Sequence, residues 1–224
     1  MPPKVNLLEA RNLGRRRPDG TGWLLDDVSL EVGPGERIAL AGPSGAGKTI
    51  LLRCMALLDP LDVGEVRWQG WPIRRDAVPL FRKAVIYVHQ RPALFDETVE
   101  AALRRPFSLK VHRRKQFDRS RVLGLLASLG RGEDFLDKRV ADLSGGEIQI
   151  AALVRAVQLD PSVLLLDEPT AALDRGTTAA AEAMLLAWLD QARADRALIW
   201  ISHDAEQARR VGQKVVMMEG GRIV

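Results

Sequence analysis

Arg37-Ile38-Ala39-Leu40-Ala41-Gly42-Pro43-Ser44-Gly45-Ala46-Gly47-Lys48-Thr49 is the stretch that decides the fold. The first five residues read as a short β-strand, and the rest as a glycine-rich turn closed by an ammonium and a hydroxyl. From Lys48 to Leu58 apolar residues recur at helical spacing (Ile50, Leu51, Cys54, Met55, Leu58). Strand, GxxxxGK[ST] turn and helix, in that order, make a phosphate-binding loop. Residues Gly42, Pro43, Ser44, Gly45, Ala46 and Gly47 leave backbone N–H groups free to curl around phosphate oxygens. The helix beginning near Lys48 aims its positive end at the same anion. Lys48 adds a point charge for the β- and γ-phosphates, and Thr49 offers a hydroxyl to Mg²⁺. The site expected here takes a nucleoside triphosphate.

Further runs of the same kind lie downstream. Val85–Val88, Val163–Leu166 and Leu198–Ile201 read as buried strands, each followed at once by polar or charged residues. With helical patterns between them, they predict an α/β fold with a largely parallel sheet, its ligand at the carboxyl ends of the strands. Val5 to Leu13 and Val28 to Val32 read as two more strands, joined by the polar Gly14 to Gly22 segment. Lys214 to Met218 reads as the last one. Residues 91–143 carry no clear strand and are rich in helix formers. They are expected to form a helical subdomain inserted in a core of 1–90 and 144–224, all within a single 1–224 unit.

The strand Val163–Leu166 runs into Asp167-Glu168. Asp167 is placed to hold Mg²⁺ through its water shell, since Mg²⁺ takes few direct carboxylates. Glu168 is the candidate for orienting and deprotonating an attacking water. Leu143-Ser144-Gly145-Gly146-Glu147 precedes another helical run; Ser144 reads as its N-cap, and Gly145 and Gly146 leave N–H groups open to an anion.

The order of these elements resembles the ATPase subunit of ATP-binding cassette (ABC) transporters almost end to end. Gly42–Thr49 resembles Walker A, Val163–Glu168 Walker B, and Leu143–Glu147 the family signature. Gln90 resembles the Q-loop glutamine, Ala171–Asp174 the D-loop, and His203 the switch histidine. The resemblance implies a P-loop NTPase (RecA-like) mixed-sheet core, with an antiparallel β part at the N-terminus and the inserted helical subdomain. It implies an ATP-sandwich homodimer, each ATP lying between Walker A of one chain and Ser144, Gly145 and Gly146 of the other. His203 would contact the γ-phosphate. Gln90 would join Thr49 and Asp167 at the metal and link that site to the subdomain. Catalysis would rest on Glu168, His203, Lys48 and Gln90, with ATP and Mg²⁺ as ligands.

Two positions depart from the family pattern. An aromatic residue commonly stacks on adenine shortly after the first strand, but here the stretch is Asn12-Leu13-Gly14-Arg15-Arg16-Arg17. Arg17 could offer its guanidinium plane instead, or Trp23 could reach across. After the signature, Ile150 stands where a basic residue is usual.

Bulk properties narrow the role. The 224 residues carry a formal charge of +4, are 46% hydrophobic and 28% charged, and include one cysteine. That excludes an internal disulfide and fits a reducing compartment, with Cys54 as a small buried residue. No run approaches the roughly 20 apolar residues that span a bilayer. The start shows no signal peptide, and the chain ends at Val224 soon after its last strand, so no regulatory domain is expected. The basic surplus, including His112-Arg113-Arg114-Lys115, lacks interleaved aromatics. It reads as a solvated face or a surface beside anionic lipid rather than a nucleic-acid footprint. The expected setting is the cytoplasmic face of the cell membrane, reached through an integral membrane permease.

Soluble ABC ATPases of DNA repair or translation fit less well, because Gln90 and Ser144 lie only 54 positions apart (144 − 90) and one cassette is present. A small P-loop kinase would lack the signature and Glu168. The segment Gln90–Phe107, with the compact length, looks most like the ATPase of small two-component exporters of iron. Its Leu94 and Phe95 are expected as exposed contacts for the permease. An importer ATPase for phosphate, metal or amino acids is the alternative.

Overall fold

A computed structural model describes residues 5–224; Met1–Lys4, at the start of the expected core, lie outside them. Among the described residues, one sheet is antiparallel: β1 (Leu8–Arg16), β2 (Trp23–Val32), β4 (Val63–Trp68) and β5 (Trp71–Pro72), in the order β2-β1-β4-β5. The other holds β3 (Arg37–Ala41), β6 (Val85–Val88), β7 (Val163–Asp167), β8 (Ala197–Ile201), β9 (Lys214–Glu219) and β10 (Arg222–Ile223). Its order is β10-β9-β3-β8-β7-β6, with every pairing parallel except β9 with β10. The helices are α1 (Lys48–Met55), α2 (Val78–Ala84), α3 (Val99–Arg104), α4 (Arg119–Ser128), α5 (Gly145–Gln158), α6 (Arg175–Gln191) and α7 (Ala205–Val211).

Strand periodicity divides the interior in two. Along β7, Val163 and Leu165 face α1 and the antiparallel sheet, joining Leu8, Leu25, Leu51 and Met55. Leu164 and Leu166 face the opposite side and meet Val122, Leu126, Leu153, Leu185 and Trp188 from α4, α5 and α6. All five residues of β7 are buried, which is why its sequence is a continuous apolar run rather than an alternation. Truncating Leu164 or Leu165 to alanine is expected to cost about 2–5 kcal/mol. Within 91–143 the structure holds α3, α4 and short 3₁₀ turns, with a single β-bridge between Thr98 and Arg139. Their apolar faces belong to the same cluster as Leu164 and Leu166.

Three expectations need correcting. The first two strands differ from Val5–Leu13 and Val28–Val32: β1 is shifted to Leu8–Arg16, β2 lengthens to begin at Trp23, and the link shrinks to a turn closed by Arg17 N–H donating to Gly22 O at 2.8 Å. Irregular pairings in β1, with Asn12 at φ 49°, let polar residues continue the strand. The first helix stops at Met55 rather than Leu58, because Leu57 takes φ 55° and turns the chain away. The basic run is not a uniformly solvated face. His112 is buried, and Lys115 Nζ donates to Leu159 O at 2.7 Å, leaving Arg113 and Arg114 exposed. Burial, with Lys83 and Lys115 adding to it, holds the His112 pKa below its ordinary value.

Candidate functional site

The phosphate loop is shaped by two close approaches. Gly42 takes φ 137°, and a Cβ there would stand 2.1 Å from Met218 O of β9. Gly47 takes φ 98°, and a Cβ would stand 2.8 Å from Leu24 O of β2. Only glycine fits either place, so the loop is pinned between both sheets. Gly47 also occupies the cap position of α1 and supplies no side chain to its N–H groups. The first turn of α1 therefore keeps free donors facing the loop. Lys48 folds back inside, its Nζ donating to Gly42 O and Pro43 O at 2.8 Å each. Burial lowers the Lys48 pKa, while Glu168 and Asp167 oppose the shift.

The strand ends bring the acids to this loop. Asp167 closes β7 and is 1% exposed. Its Oδ1 accepts from Thr49 Oγ1 at 3.1 Å, and its Oδ2 from Tyr87 Oη at 2.7 Å. Burial and the Asp167 carboxylate push the Tyr87 phenol pKa up, so Tyr87 stays a donor. Glu168 sits at φ 46°, a left-handed conformation that costs a non-glycine residue about 1 kcal/mol or more. Its N–H donates to Ile201 O at 3.2 Å. The side chain accepts from Gln90 Nε2 at 2.7 Å through Oε2 and touches His203 Nε2 through Oε1.

A cleft of about 520 Å³ is lined by Ser44, Gly45, Ala46, Gly47, Lys48, Thr49 and Ile50 of the loop and α1. Gln90, Glu168 and His203 line it from the strand ends, Arg17 from the turn after β1 and Leu24 from β2. One cleft thus gathers a ring of amide donors, an ammonium, a hydroxyl, a carboxylate, an amide and an imidazole. That set suits a polyphosphate and a hard cation. Thr49 and Gln90 line the cleft and Asp167 stands directly behind Thr49, so hydroxyl, amide and carboxylate oxygens lie where such a cation would bind. This fits Mg²⁺, which completes its shell with phosphate and water oxygens.

Ser144, Gly145 and Gly146 do not line this cleft. They open α5, where Ser144 Oγ accepts from Glu147 N–H at 3.2 Å and Glu147 Oε2 accepts from Ser144 N–H at 3.0 Å. Ile150, three residues into the helix from Glu147, is fully buried in the helical cluster. Trp23 is also outside the cleft. Its ring packs beside Gly14 and under the Arg16 guanidinium, 4.8 Å away. Phe95 is 64% exposed, with the Arg105 guanidinium 4.3 Å above it. Leu94 departs from expectation, because it packs half-buried against the helical cluster. Sequence reading missed Tyr87 and Leu24. Tyr87 shares a face with Val85, so period two brings it near Asp167 once β6 is known to pair with β7.

The profile of the ABC transporter family matches residues 25–171. The chain is 40% identical over 226 residues to "Sulfate/thiosulfate import ATP-binding protein CysA" of Bordetella parapertussis, covering 96% of this chain and 60% of that protein. It is 35% identical to a "Probable anion import ATP-binding protein" of Haloferax volcanii, covering 97% and 78%. The chain therefore spans about three fifths of the length of the sulfate relative. Among solved structures, the dimeric post-hydrolysis state of the ATP-binding cassette MJ0796 bound to ADP and Pi aligns with TM-score 0.84, 25% identity and 96% of both chains. Loop, strand-end acids and profile agree, and the chain belongs to the ABC transporter family as one of its ATP-binding cassettes.

Proposed function

We propose that this chain hydrolyses MgATP as the motor of an ABC importer for a small oxyanion such as sulfate or thiosulfate. The observation that carries the hydrolytic reading is the meeting of Gln90, Glu168 and His203 at the phosphate loop. Loop amides and Lys48 bind the triphosphate and orient its γ-phosphate. Glu168 accepts the proton of the attacking water, Gln90 steadies that carboxylate, and His203 faces the γ-phosphate. Mg²⁺, when bound, neutralises β- and γ-phosphate charge; Thr49, Asp167 and Gln90 are the residues to hold it. Arg17, which lines the cleft beside Leu24, is the platform offered to the base.

Ser144, Gly145 and Gly146 complete the site from a second copy, which accounts for their place outside their own chain's cleft. The dimeric structures of MJ0796 support this reading. No helix of the described residues is long and apolar enough to cross a membrane. A permease held at residues 91–107 then keeps the motor at the cytoplasmic face. A second cleft of about 260 Å³ supports that contact, lined by Ile86, Pro92, Ala93, Pro106 and Arg155 among others. Burial lowers the Arg155 pKa, and no ion-pair partner for it is found among the described residues, so a carboxylate on the permease suits it.

Import replaces the earlier expectation of iron export, which the relatives described above do not support. The test is affinity purification from native membranes, followed by uptake of labelled sulfate by vesicles holding the purified complex. ATP-dependent uptake that Lys48→Ala abolishes is expected. ATP-dependent iron efflux without sulfate uptake would return the assignment to export.

A further inference from the structure

Behind the strand ends lies a buried polar cluster that the reading above does not use. Ser202, Gln207, Thr170 and Glu182 are 5%, 8%, 7% and 4% exposed. Ser202 immediately precedes His203, and Thr170 follows Glu168 by two residues. Gln207 stands on α7 and Glu182 on α6. Gln207 Nε2 donates to Thr170 Oγ1 and to Glu182 Oε1 at 2.9 Å each, and Gln207 Oε1 accepts from Ser202 Oγ at 2.7 Å. Arg210 closes the set, donating to both Glu182 oxygens at 2.6 and 2.8 Å.

Donor and acceptor counting fixes the direction of every bond. An ionised carboxylate only accepts, so the amide NH₂ of Gln207 must face Glu182. Its carbonyl then faces Ser202, whose single hydroxyl proton is committed to it. Burial opposes ionisation of Glu182, but Arg210 and Gln207 outweigh it and hold its carboxyl below the ordinary range. A side chain that only packed here would need no such set, and an unpaired polar atom at this depth would be destabilising.

We propose that Gln207 is a positioning residue: it ties the loop carrying His203 to the loop carrying Glu168 and so fixes where those two side chains meet. Glu182 orients the amide from α6. This rests on the hydrolytic reading of the cleft, in which Glu168 and His203 act together. A shift of either loop displaces the acid and the imidazole relative to the γ-phosphate while leaving the loop amides and Lys48, which bind ATP, in place. The signature is therefore a loss in kcat with little change in KM.

The test is MgATP turnover of the full chain in four forms, with melting temperatures measured alongside. In Gln207→Leu, kcat is expected to fall about 10- to 100-fold with KM within about threefold. Gln207→Glu alone sets two carboxylates against each other and is expected to lose a similar factor. Combining Gln207→Glu with Glu182→Gln restores one acid and one amide, and kcat is expected to return to within about threefold of the parent. Should Gln207→Leu fail to fold, Ser202→Ala removes the bond on the His203 side, together with the 3.0 Å bond that Ser202 Oγ accepts from Asp204 N–H, and is expected to lower kcat about 3- to 10-fold. A folded Gln207→Leu, or Ser202→Ala, with parental kcat overturns the proposal. So does an exchange variant no better than Gln207→Glu alone. Glu168→Gln separates the two levels: if it turns over normally, the reading of the cleft itself fails.

Discussion

Two glycine-rich helix starts in this chain are built from similar residues and do opposite things. At α1, Gly47 provides no side chain to the helix N-terminus, and the loop is clamped by β2 and β9. At α5, Ser144 and Glu147 cap each other's N–H groups, leaving those of Gly145 and Gly146 out of the box, and Lys138 Nζ pairs with Glu147 at 2.8 Å. The first helix start is therefore incomplete in the chain and suits a ligand inside its own cleft. The second is already stable, and Ser144 and Gly145 lie exposed at the surface. At both starts the glycines keep N–H groups that no capping side chain takes, inside the chain's own cleft at α1 and at the surface, toward a second copy, at α5.

The largest effect should come from the incomplete helix start. Lys48→Ala is expected to weaken ATP binding at least about a hundredfold, read by titration with a fluorescent nucleotide. Glu168→Gln is expected to bind ATP normally and to hydrolyse it at least about a hundredfold more slowly in a phosphate-release assay. Equal turnover in that variant removes Glu168 from the mechanism.

Effects of α5 on the folding of the single chain should be smaller and should appear as stability. A Cβ at Gly146 would stand 2.8 Å from Ala172 O. Gly146→Ala is thus expected to cost about 1–3 kcal/mol and lower the melting temperature by several degrees. Ser144→Ala loses the cap, at about 1 kcal/mol or about 2–4 °C. An unchanged melting temperature would contradict the capping geometry.

The smallest effect is a pH dependence. Lys138 and the Ser144 N–H lower the Glu147 pKa from 4.5 to about 2. A depressed carboxyl stabilises above its unfolded pKa, and that contribution is lost as pH falls from about 5 to about 2. The melting temperature of the parent should exceed that of Glu147→Gln near neutrality and converge with it in this acidic window. A constant difference would show that the charge has no part in the cap.

The same contrast explains what could be read from sequence. The phosphate loop, the acids after Val163–Leu166 and the Ser144 cap were legible because each is local: a few residues, their spacing, and one flanking strand or helix. His203 and Gln90 were legible only through motif order. What was not legible depends on partners far along the chain. Tyr87 reaches Asp167 across a pairing between strands 80 residues apart in the hydrogen-bonded pair. His112 looked like part of a charged surface and is buried against Phe107, whose ring centroid lies 6.3 Å away. β1 runs through polar Arg15 and Arg16 because Asp59 and Asp62 receive them, Arg15 as an ion pair and Arg16 through its N–H at 2.7 Å. Polar residues in a strand were read as a loop, since nothing local announces those acceptors.

The central claim is that the cleft of one chain is completed by the Ser144–Gly146 turn of another. Light scattering of Glu168→Gln with MgATP and with MgADP tests it most directly. The account predicts twice the 24.7 kDa chain mass with MgATP and the single chain mass with MgADP, because only the γ-phosphate reaches both copies. A single-chain mass in both nucleotides, at concentrations that saturate binding, would contradict it.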